Sequence, residues 1–220
     1  YLYIKKLSKH IDVPAKLSKR VNEELPKLIE RLLKFQQFNG GWAWWESGEG
    51  SSLMTVKVLQ AIVQLDSTFH INTAKRNGFL MLQNRLEQPI LLSEKLFIMQ
   101  FLAEQNHVYP YQSFTDTLNT KDLSEYQLWQ VANIKQNAGV NNDAEIKRLM
   151  DKKKGGVLGE WHWGENHWFW QNNEIATTLL AYKTLKNHEV YKNDVLKIIQ
   201  YFLRYKSRYQ YFRNTVEKAD

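Results

Sequence analysis

Apolar residues along the chain recur at helical rather than strand spacing. Leu28, Ile29, Leu32, Leu33 and Phe35 follow the i, i+3, i+4, i+7 rhythm of one helical face, and Asn39-Gly40 supplies left-handed residues that stop a helix. The apolar rhythm resumes with Leu53, Val56, Leu59, Ile62 and Val63, behind Ser51 or Ser52 as N-cap. Trp42, Trp44 and Trp45 stand between the two runs. The pattern predicts two antiparallel helices joined by a tryptophan-rich turn, an αα-hairpin.

The unit recurs. From Ile146 a helical run leads to Gly155-Gly156, then to Trp161-His162-Trp163 and Trp168-Phe169-Trp170, and a helix begins at Asn172 or Asn173. From Val195 a third run leads to Tyr209, Tyr211 and Phe212, then to Asn214-Thr215. The copies share an order of features rather than a sequence, which marks a structural repeat.

The remaining segments fill in as helices. Residues 1–10 read as a helix end, and Pro14 opens a helix to about Phe38, with Pro26 kinking it or opening a second one. Further helices are expected over 68–86, with Ile71, Ala74, Phe79 and Leu82 apolar, and over 91–105, capped by Ser93, with Leu96, Phe97, Met99, Phe101 and Leu102 available for burial. An aromatic connection over 107–120 holds one helical turn at 114–118. Helices then run from Thr120 or Asp122 to Gln136, from Asn141 or Asn142 to Lys153, from Asn173 to Leu185 and from Asn193 to Tyr205. An aromatic connection over 207–214 closes the sequence, with a short strand-like piece at Tyr209 to Arg213. The expected fold is all-α, with nine to ten helices.

Composition narrows the chemistry. At 220 residues a core can be buried without staples, and the absence of cysteine removes disulfides, thiolate metal sites and cysteine nucleophiles. Thirty Lys and Arg against 23 Asp and Glu give a net charge of +7, spread along the helices, with Lys152-Lys153-Lys154 the one tight run. That run reads as a solvated helix end. No basic face with a nucleic-acid module is evident, so no nucleic-acid partner is expected. No apolar run approaches the ~20 residues that span a bilayer, so no membrane span is expected in this segment. A chain that opens on Tyr1 and stops as a helix begins reads as a fragment of a larger protein.

The richest polar stretch is Glu160 to Trp170, with His162, His167, Glu160 and Glu165 among five aromatics. The His162–His167 interval is not the i, i+4 of a helical zinc site, and no third ligand is fixed, so no metal is expected. Indoles with a hydrogen-bonding edge suit half-buried turns, and packing is the expected role there and for Tyr201, Tyr205, Tyr209 and Tyr211. Trp42, Trp44 and Trp45 beside Glu46 and Glu49 raise an alternative, a glycosidase or lyase whose cleft is lined by indoles and by Glu46, Glu49, Glu160 or Glu165. Terpene cyclisation needs an acidic Asp-rich motif, and no Asp here has a second within three positions. No catalytic, cofactor-binding or metal residue is assigned.

The stretch Leu32-Leu33-Lys34-Phe35-Gln36-Gln37-Phe38-Asn39-Gly40-Gly41-Trp42-Ala43-Trp44-Trp45, followed by Thr55 and Val58-Leu59, resembles the helical thioester-region domain of bacterial alpha-2-macroglobulin-like proteins. Asn173-Glu174-Ile175-Ala176-Thr177-Thr178-Leu179 resembles that family's repeated helix start, and Phe212-Arg213-Asn214-Thr215-Val216-Glu217 its turn into the next helix. The resemblance covers residues 28–65 and 155–220. It implies an α/α toroid of terpenoid cyclase-like helical hairpins over 1–220, incomplete at both ends, as one domain of a multidomain protein. It further implies a non-enzymatic role in a protease-trapping inhibitor of the periplasm, cell envelope or exterior. Its partners would be neighbouring domains of the same chain and target proteases, and no cofactor is implied. The family's Cys-x-Glu-Gln thioester is absent from this sequence.

Overall fold

A computed structural model describes residues 4, 10–45, 47–63, 65, 69–166 and 173–209. Helix accounts for 65% and strand for 4%, with nine α-helices among the described residues. The all-α expectation therefore holds. The chain divides into two compact units, residues 1–98 and 99–220.

In the first unit, α1 (Ala15–Lys34) starts behind Pro14 and continues across Pro26 as one helix. It ends four residues before the expected Phe38, because the backbone turns there to other partners. Gln36 bridges to Trp42, and the Gln37 N–H donates to the Gly41 carbonyl at 2.8 Å. Val21 and Leu25 are its buried residues, Ile29, Leu32, Leu33 and Phe35 are half-buried, and Leu28 is 46% exposed.

α2 (Ser52–Ile62) follows Ser51 and packs on α3 (Phe69–Leu86). Val56, Leu59, Ile62, Ile71, Ala74, Met81, Leu82 and Leu86 are buried, while Leu53, Val63 and Phe79 are half-buried. Among the described residues the closest helix-on-helix packing of this unit is α2 on α3. α4 (Leu92–Glu104), of which residues 92–98 belong to this unit, contains Ser93 instead of being capped by it. Its Glu94 ties three helices together, accepting from Ser52 Oγ at 2.6 Å and from Arg85 Nε at 2.9 Å. Burial works against the Glu94 charge, but these two bonds and the Arg85 charge outweigh it and hold the carboxyl below its ordinary range.

The second unit holds α5 (Tyr111–Asp116), α6 (Glu125–Asn137), α7 (Asp143–Met150), α8 (Glu174–Leu185) and α9 (Lys192–Tyr209). Ser124, rather than Thr120 or Asp122, starts α6. It forms a capping box in which Gln127 N–H donates to Ser124 Oγ at 3.3 Å and Ser124 N–H to Gln127 Oε1 at 2.9 Å. Thr120–Asp122 is instead a single 3₁₀ turn. Asn142 precedes α7, yet its side chain is buried and donates to the Ala132 carbonyl at 2.8 Å, so it joins α7 to α6 without capping.

α7 stops at Met150, short of the expected Lys153, because Lys154–Gly155 (β1) pairs antiparallel with Trp161–His162 (β2). The last helix runs to Tyr209, so 207–209 are helical where a connection was expected, and 210–214 lie outside the described residues. The core is one cluster of Trp129, Ala132, Ile146, Leu149, Met150, Trp163, Leu180, Ala181, Leu185 and Ile198. α6 and α8 form its closest-packed pair, and β2 rests on α8 and α9.

Candidate functional site

Each unit has one tryptophan that is buried within a turn between helices, and these two are held alike. In the first, Trp42 is 1% exposed, its indole Nε1–H donates to the Leu32 carbonyl at 2.9 Å, and its backbone N–H donates to Thr55 Oγ1 at 2.9 Å. In the second, Trp163 is fully buried, its Nε1–H donates to the Leu149 carbonyl at 2.7 Å, and its backbone N–H donates to Thr178 Oγ1 at 2.9 Å. The indole donates to a carbonyl in the last turn of the helix before it, one that also accepts a backbone N–H (Phe35 to Leu32 at 3.2 Å, Lys152 to Leu149 at 3.1 Å). The threonine anchors the turn to the helix that follows. One residue therefore closes the end of one helix and fixes the start of the next.

Glycine makes both turns possible. Gly40 has φ +86°, and a Cβ there would lie 2.5 Å from the Asn77 carbonyl oxygen; Gly164 has φ +84°, and a Cβ there would lie 2.7 Å from Thr177 Oγ1. Side chains at either position would meet both strain and a clash.

Around these anchors the two turns differ. Ser51 N–H donates to the Trp42 carbonyl at 2.8 Å, so Ala43 to Gly50 form a loop pinned at its base. Trp44 and Trp45 stand out from it, 64% and 80% exposed, and Phe38 on the approach to the turn is 95% exposed. Glu49 is exposed, and Glu46 lies outside the described residues.

In the second turn the periphery is gripped by α9. Lys197, Tyr201 and Arg204, at i, i+4 and i+7 of that helix, meet Trp161, His162 and Glu160. The Lys197 ammonium lies 4.5 Å from the Trp161 ring centroid and the Lys153 ammonium 4.8 Å, while Lys153 also pairs with Asp194 at 3.6 Å. His162 stacks on Tyr201 with centroids 5.1 Å apart, and Tyr201 OH donates to Glu174 Oε1 at 2.5 Å. Lys154 bonds the Gly164 carbonyl at 2.7 Å and Glu165 at 2.6 Å. Lys153 and Lys154 are thus engaged in specific pairs where a solvated helix end was expected, and Lys154 belongs to a strand.

Within the second turn, Glu160 and Glu165 are each paired with a cation, Arg204 and Lys154. Glu160 is 3% exposed, accepts the Leu158 N–H at 2.8 Å and an Arg204 N–H, and has little room for a reacting proton. Burial opposes its charge, but its own backbone N–H, Arg204 and Leu158 outweigh that and hold it below the usual carboxylate range. Glu165 is exposed and occupied by Lys154. His162 is held below its ordinary value chiefly by burial, against the pull of Glu174 at 3.9 Å.

A carboxyl that spacing did not single out is Glu125, in the first turn of α6. Burial pushes it up, against Lys154 and the Gly164 backbone, which pull it down. No sequence signal distinguishes Glu125 from other first-turn acids. Among the described residues no three His, Asp or Glu side chains converge on a possible metal position. His167, Trp168 and Trp170 lie outside the described residues, as do Tyr211 and Asn214.

No helix is long and apolar enough to cross a membrane among the described residues. No protein-family model matches the chain, and no curated protein is significantly similar to it.

Proposed function

We propose that the chain is a non-enzymatic helical domain of an alpha-2-macroglobulin-like protease-trapping protein of the bacterial envelope, built as part of an α/α toroid. Its work is mechanical: it packs against neighbouring domains and shifts as a unit when a protease cuts the bait segment. The observation that carries this reading is the repeated anchor. Both Gly-Trp turns spend their buried indole on a helix carbonyl and their backbone N–H on a threonine, which makes stiff joints between helices. Leu32, Trp42, Thr55 and Thr178 of these anchors lie in the stretches that carry the sequence resemblance. Glu160, the best-placed acid of the alternative glycosidase reading, is consumed by Arg204 and a backbone N–H.

The test is made on the full-length protein from which this chain comes. Incubated with a broad-specificity protease, it is expected to be cut and to retain the protease in a form that still cleaves small peptide substrates but not large proteins. Unhindered digestion of large substrates would overturn the proposal. Hydrolysis of a polysaccharide, lost in Glu160→Gln, would favour the enzyme instead.

A further inference from the structure

The tip of the first turn carries an aromatic surface that the fold leaves uncovered while fixing its base in place. Gln37 N–H to the Gly41 carbonyl (2.8 Å), Gly41 N–H to Asn39 Oδ1 (3.0 Å) and Ser51 N–H to the Trp42 carbonyl (2.8 Å) hold the base of the loop. Trp44 and Trp45 are displayed beyond that clamp, and among the described residues neither makes a hydrogen bond or ring contact. Large apolar side chains held out in water on a clamped loop mark an interaction surface.

Charge says what kind. Between Lys34 and Lys57 the sequence has no Lys, Arg or His but has Glu46 and Glu49, in a chain whose net charge is +7. Indole faces attract cations, and carboxylates beside them add to that attraction. The second turn shows the pairing completed within the chain, where the ammonium groups of Lys153 and Lys197 lie 4.8 and 4.5 Å from the Trp161 ring centroid. Arg85, which feels the Glu49 charge, is already bound to Glu94 and Gln88.

We infer that Trp44, Trp45 and Glu49 form a docking surface for a cationic segment, bearing lysine or arginine, of a protein partner. The inference stands apart from the proposed function, since the surface would bind such a segment whatever larger protein carries it.

The test uses the whole chain, ¹⁵N-labelled, with three probes: a ten-residue Lys-Gly repeat peptide, the same peptide with acetylated lysines, and a neutral oligosaccharide. The lysine peptide is expected to shift the indole N–H signals of Trp44 and Trp45 and leave those of Trp42 and Trp163 in place. Combining Trp44→Ala with Trp45→Ala should weaken binding by about tenfold. Glu49→Gln should weaken it by about two- to threefold, and added salt should weaken it further. Unchanged signals of Trp42 and Trp163 in each variant show that the fold is kept. Equal binding of the acetylated peptide, a response to the oligosaccharide alone, concentration-dependent self-association through these indoles, or no binding by any probe would each overturn the inference.

Discussion

The two Gly-Trp turns share an anchor and differ in everything around it. Trp42 and Trp163 make the same two hydrogen bonds, one to a helix carbonyl and one to a threonine hydroxyl. Beyond that, the second turn is buttressed by a short β-hairpin, by the Glu160–Arg204 pair and by a stack of His162 on Tyr201. The first turn has isolated bridges at Gln36–Trp42 and Trp42–Ser51 and leaves its other indoles in water. The anchor is therefore the repeated device, and the periphery is where the copies differ.

Removing the anchor should have the largest effect. Trp42→Ala and Trp163→Ala each delete a fully buried indole, and each should cost about 3–5 kcal/mol in denaturant unfolding. Trp163→Ala should sit at the upper end, because its ring also meets Trp129 edge-on at 5.3 Å. If one variant were nearly neutral, the two turns would not be equivalent joints.

Next come the threonines. Thr55→Val and Thr178→Val keep shape and remove the acceptor, leaving a buried tryptophan N–H unpaired at a cost of about 1–3 kcal/mol each. Similar losses in the two units would sharpen the comparison; a loss in only one would break it.

Acid should separate the units. His162 and His107 both lie in residues 99–220, and burial holds both below their ordinary value. A histidine lowered in the folded state favours folding fully above its unfolded value, about 6.5, and that contribution is lost as pH falls towards the lowered folded value. Unfolding followed through Trp163 should therefore weaken between pH 7.5 and 5.5, and His162→Phe should reduce the slope. A pH-independent transition there would contradict the burial argument.

The smallest effect is expected at the periphery of the first turn. Trp44→Ala should change stability by no more than about 0.5 kcal/mol, since the side chain is solvent-exposed.

Much of this was legible from the residues. Helical spacing, the Asn39-Gly40 stop and the Ser51 and Asn173 starts located the main helices, and the recurrence of glycine with tryptophan revealed the repeated turn. What one-dimensional spacing could not show was which tryptophan of a cluster goes inside. Trp42, Trp44 and Trp45 look alike in sequence, and only the reach of Trp42 to Leu32 and Thr55 separates them. Nor could it show that Ser124, two residues beyond Asp122, starts α6, because either position offers a capping oxygen. The α9 stripe of Lys197, Tyr201 and Arg204 was readable as one helical face, but its partners lie 36 to 44 residues upstream and no local pattern names them.

The central claim is that the indole and backbone N–H groups of the two turn tryptophans, Trp42 and Trp163, are spent on fixed partners within the fold. Hydrogen exchange of the four indole N–H groups of Trp42, Trp44, Trp45 and Trp163, resolved by NMR, tests it most directly. Slow exchange at Trp42 and Trp163 with fast exchange at Trp44 and Trp45 is the predicted result. Exchange at Trp42 or Trp163 as fast as at Trp45 would contradict it.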